Sequence, residues 1–112
     1  MDEGIRQITR RVILESAVRN VCGDRQQDYG SPENSFRAIA RFWKAYLLEK
    51  YGMDVPLCPT DIGLMMALFK ISRIVKGRFK EDSFIDGCGY LACAGELAET
   101  DRGETVPGSG GR

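Results

Sequence analysis

Histidine is absent from this 112-residue chain. With it go the Cys–His nucleophile pairs and the Cys/His zinc sites that carry chemistry in many small domains. The four cysteines, Cys22, Cys58, Cys88 and Cys93, show no CxxC spacing. With no export signal beside them, they read as free buried thiols rather than a disulfide framework. Net charge is lacking too, because 16 basic residues offset 16 acidic ones. That balance argues against a nucleic-acid or membrane-surface binder working through bulk charge, so any phosphate recognition has to be local. Glycine-rich phosphate loops of the GxGxxG and Walker types are missing, and so are internal repeats. No apolar run is long and clean enough to span a bilayer, and MDEGIRQITRR lacks a signal peptide's apolar core. The expectation is a cytoplasmic protein with no membrane partner. If it is an enzyme, its metal-ligating and acid–base groups are carboxylates, lysine, tyrosine or bound water.

What is present reads as helix. Residues 5–22 place apolar side chains at helical spacing with arginines opposite, which predicts a first helix beginning near Glu3 or Gly4. Ser31-Pro32-Glu33 is a helix start, with Ser31 as N-cap and Pro32 at the position where a missing N–H costs nothing. That second helix should run to about Tyr51 and stop at Gly52, with Phe36, Phe42, Trp43 and Tyr46 as bundle core or subunit interface. Pro59 or Thr60 opens a third helix that ends near Gly77. Its residues, TDIGLMMALFKISRIVK, are apolar on nearly all sides, so it is expected at the centre of the bundle. A fourth helix should start between Lys80 and Asp82 and reach Glu99 or Thr100. Its small residues, Gly87, Cys88, Ala92, Ala94 and Gly95, would let a neighbouring backbone approach closely. The reading is one all-α, four-helix-bundle-like domain over residues 1–100 and a flexible tail over 101–112.

Two constellations carry possible chemistry. Asp82 and Asp86 lie four apart and share a helix face, where they repel each other unless a cation sits between them. Lys70 and Arg73 on the third helix are cations of suitable placement. One reading is a structural ion-pair network. The other is a Mg²⁺ site held by Asp82 and Asp86, with Asp61 or Glu81 as further carboxylates and Lys70 and Arg73 on the phosphates of a nucleotide. Asp61 joins only if the helices cross, because it stands at the far end of the third helix. The second constellation is Asp24-Arg25-Gln26-Gln27-Asp28-Tyr29-Gly30 leading into the capped start of the second helix. There Arg25 would contact phosphate, Tyr29 would stack on a base, and Gln27 or Asn34 would read a base edge. A plain turn with Tyr29 against the core explains the same residues.

Four elements in order, the DRQ.DYG.P..NF-like stretch from Asp24 to Phe36, a helix containing Trp43, Leu64 to Arg73, and Asp82 to Tyr90, resemble small phage and prophage proteins of the MazG-like kind. The resemblance covers residues 20–98. It implies an all-α, MazG-like fold, assembly as a homodimer or homotetramer, and kinship with Mg²⁺-dependent pyrophosphohydrolases that cleave an NTP or dNTP to a monophosphate and pyrophosphate. In that case Lys70, Arg73 and Asp86 would be catalytic. The chain departs from the pattern in lacking an EExxE motif and in carrying Asp82 and Asp86 where ExxD is usual. A non-catalytic nucleotide-binding or phage-encoded interaction protein is the alternative that the resemblance leaves open.

Overall fold

A computed structural model describes residues 7–23 and 31–104, the last four as backbone only. Four helices follow in order: α1 (Arg10–Cys22), α2 (Pro32–Tyr51), α3 (Pro59–Lys76) and α4 (Glu81–Glu104). No strand occurs among the described residues.

The helix ends follow local chemistry. α1 starts later than the spacing of apolar residues suggests, because the Thr9 hydroxyl accepts the Val12 amide at 3.2 Å and fixes the first turn there. α2 begins where expected: Ser31 Oγ accepts the Asn34 amide at 3.2 Å and Pro32 opens the helix. It ends at Gly52, whose φ of 67° is left-handed and suits a residue without Cβ. α3 opens at Pro59, and α4 continues through 101–104, beyond the expected stop at Glu99 or Thr100.

The apolar run of α3 suggested the bundle's axis, but the structure gives that place to α4. α4 packs against all three other helices, most extensively against α3. The core joins Phe36 and Ala40 of α2, Ile62 of α3, and Cys93 and Leu97 of α4, with Val21, Trp43, Met66 and Tyr90 packed around it. The closest approach is at Gly63, where an added Cβ would lie 2.9 Å from Ala94 Cβ and 3.2 Å from Phe36 Cε2. On the other side of α4, a Cβ at Gly89 would meet Val21 of α1 at 3.0 Å. Small residues on α4 therefore do let neighbours in, at Ala94 and Gly89. At Gly95 nothing lies within contact distance.

Candidate functional site

The α3–α4 seam holds the charges that the sequence singled out. Lys70 Nζ lies 3.0 Å from Asp86 Oδ2, and the two side chains are 18% and 32% exposed. A direct ion pair at this depth is less screened than a surface pair. Opposed positions on packed helices create it: Lys70 sits on the α3 flank next to Ala67, and Asp86 follows the buried Ile85 on α4. A Cβ added at Gly87 would meet only Lys70 Cβ, at 3.8 Å, so the glycine leaves room for the lysine stem to cross the seam.

The other candidates are not gathered at this pair. Asp61 lies in the first turn of α3 and caps it: its Oδ2 accepts the Cys58 amide at 3.0 Å, satisfying a donor that the helix start leaves orphaned. Asp82 is exposed, one turn before Asp86. Glu81 is the first residue of α4 and half-buried. Arg73 is exposed, with its guanidinium carbon 5.7 Å from the Phe69 ring centroid; Lys70 Nζ stands 5.8 Å from the same ring. Asn34 is exposed, and its backbone amide serves the α2 cap. Arg25, Gln27 and Tyr29 lie outside the described residues.

Does this set fit Mg²⁺? Among the described residues no group of three His, Cys, Asp or Glu side chains could hold a metal. The best-placed carboxylate, Asp86, already has a cation on one oxygen. In the described residues Asp86 is thus engaged by an ion pair, with Asp82 exposed one turn away.

Among the described residues, Cys93 is the one titratable group with a clear shift. Burial raises its thiol above the ordinary 9.0, and the charge of Glu96 and the neighbouring Cys22 push the same way. It is a core thiol held protonated, as the reading of the cysteines as buried predicts for this position. Cys22 is exposed, contrary to that reading, because it occupies the last turn of α1.

The arrangement has a second feature that periodicity alone did not locate. α3 leaves Leu64, Met65, Leu68, Phe69, Ile71 and Val75 exposed, with Leu68 at 62% and Val75 at 72%. On α2, Phe42 is 73% exposed and Tyr46 is also outside the core, so only Phe36 and Trp43 of the four aromatics pack inward. The signal was in the sequence as the all-round apolarity of α3. Apolarity alone implies burial without saying which chain supplies the cover.

Comparison with known proteins gives the family. Residues 12–98 match a family described as a domain of unknown function, DUF6378. The chain belongs to that family. It is similar to the Gene 55 protein of Mycobacterium phage D29, 37% identical over 87 residues that make up 78% of this chain and 54% of the relative. It is also similar to the Gene 55 protein of Mycobacterium phage L5, 36% identical over 78 residues, 70% of this chain and 47% of that protein. The chain thus spans about half the length of these curated relatives. No solved structure matches it. The DUF6378 match covers α2, α3 and most of α1 and α4, so it includes the Lys70–Asp86 seam. No helix is long and apolar enough to cross a membrane, among the described residues.

Proposed function

We propose that this phage-family protein works by association through its apolar helix faces, as a homo-oligomer, with the Lys70–Asp86 pair in a structural role. The observation that carries the reading is the uncovered stripe of α3. Leu64, Leu68, Ile71 and Val75 follow one another at i, i+4, i+7 and i+11, so they form a single line along the helix. Burying such side chains fully is worth about 1.5–3 kcal/mol each, a driving force the isolated chain forgoes.

A second copy is the occupant the charges favour. α3 carries Asp61 in its first turn and Arg73 and Lys76 in its last. Two α3 helices packed antiparallel about a two-fold axis set the acidic end of each beside the basic end of the other, and the same apolar stripe faces itself. Sedimentation velocity over a concentration series tests this. The expected result is a dimer or higher oligomer that Leu68→Glu with Val75→Glu converts to a folded monomer. A wild-type protein that stays monomeric throughout overturns it, and one that associates only with another phage or host protein moves the occupant to that partner.

The MazG-like resemblance supports a second reading, a Mg²⁺-dependent NTP or dNTP pyrophosphohydrolase. In its favour Lys70 and Asp86 meet across facing helices with Asp82 one turn away. Against it stands the lysine already on Asp86. Incubation with Mg²⁺ and a panel of NTPs and dNTPs separates the two. Monophosphate and pyrophosphate formed by wild type and lost in Asp86→Ala support hydrolysis. Absence of turnover in a protein that still assembles leaves association as its activity.

A further inference from the structure

Between α3 and α4 the chain turns through Gly77-Arg78-Phe79-Lys80, and residues from both sides line an open concavity of about 260 Å³. Its lining is Arg73, Lys76, Gly77, Arg78, Lys80 and Ser83. Four cationic residues thus line one small open cup. None of the four makes an ion pair with a described residue, and the nearby acids Glu81 and Asp82 do not line it. Like charges held this close by a covalent turn repel one another, and an anion relieves the repulsion.

Two aromatic residues neighbour the cup residues in sequence without lining the cup itself. Phe79, between Arg78 and Lys80 in sequence, is 67% exposed, and Phe84 follows the cup residue Ser83. Their ring centroids are 5.8 Å apart, tilted by 34°. Nothing in the core needs these rings, since the hydrophobic cluster lies around Phe36, Ile62 and Leu97. Exposed aromatic faces interleaved with unneutralised cations are the chemistry that holds unpaired bases by stacking and their phosphates by charge.

We propose that the α3–α4 turn is a binding site for single-stranded nucleic acid, with backbone phosphates in the Arg73/Lys76/Arg78/Lys80 cup and a base against Phe79 and Phe84. The zero net charge of the chain speaks to long-range attraction and leaves a local cluster free to act. A strand fits better than a free nucleotide for a geometric reason. Sites for small ligands are typically enclosed clefts of about 300–1,000 Å³ that cover most of the ligand, whereas this cup is smaller and open. A strand needs no enclosure because contacts add along its length. Duplex DNA hides its base faces and offers nothing to Phe79.

Fluorescence anisotropy of a labelled oligo-dT strand against the full chain tests the site, with duplex of equal length and ATP as competitors. Four phosphate contacts to a single strand predict a slope of log affinity against log salt of about −3. Arg78→Gln with Lys80→Gln should flatten that slope by about 1.4 and weaken binding about tenfold or more. Phe79→Ala should weaken strand binding roughly 5-fold to 100-fold with the slope unchanged, since stacking carries no counterion release. Both changes are at exposed positions, and circular dichroism verifies that the helices persist. Absence of strand binding at low salt overturns the proposal. So does binding that neither variant weakens, duplex that competes as well as the strand, or ATP that competes as well at equal phosphate concentration.

Discussion

Lys70 and Asp86 illustrate how much a charge depends on its depth. Each would be a minor surface group alone, but at 18% and 32% exposure they form a partly desolvated pair. Surface pairs couple by at most about 1 kcal/mol, and removing one partner of a fully buried pair costs about 3–5 kcal/mol. A double-mutant cycle of Lys70→Met and Asp86→Asn should therefore give a coupling of about 1–2 kcal/mol in urea denaturation. A coupling near zero would remove the structural role proposed for the pair. Cys93 gives a second outcome at this scale. Its folded thiol is raised above 9.0, so the folded state holds its proton where the unfolded chain has lost it. The associated stability is fully present below pH 9.0 and is lost as pH rises through the raised value. Cys93→Ala should make the fall in stability at alkaline pH shallower, as measured by denaturant midpoints across the range.

At the scale of elements, the helices were legible because their ends are local. Ser31, Pro32 and Gly52 bracket α2 as the sequence indicates, and Pro59 opens α3. Where the reading missed, a single hydrogen bond was the reason: the Thr9 hydroxyl starts α1 at Arg10, although apolar spacing continues upstream to Ile5. The α3–α4 contact was visible in outline, through Lys70 opposite the α4 carboxylates, but its tightest point was not. That point is Gly63, which no local pattern singles out over the glycines of α4. Replacing a helical glycine by alanine ordinarily stabilises by up to about 1 kcal/mol. Here the added methyl meets Ala94 and Phe36 within 3.2 Å, and overpacking of this kind costs about 1–3 kcal/mol. Gly63→Ala should lower stability, and Ala94→Gly in the same chain should restore part of it; a stabilised single variant would show that the seam is looser than drawn.

For the whole molecule, the decisive quantity is how little of α3 the other helices cover. A chain that leaves Leu68 and Val75 more than half exposed gains stability from anything that buries them. Binding linked to folding makes the melting temperature rise with protein concentration when the partner is another copy. Thermal melts of wild type should show that rise, and Leu68→Glu with Val75→Glu should remove it. The all-α class, the order of four helices and both ends of α2 were set by the sequence itself, because periodicity and capping act over a few residues. Tertiary structure alone decided which helix is the axis, which cation meets which carboxylate across the α3–α4 seam, and which face of α3 remains bare. Apolarity says that a residue leaves water, but only the packing of one helix on another says whether its own chain provides the cover.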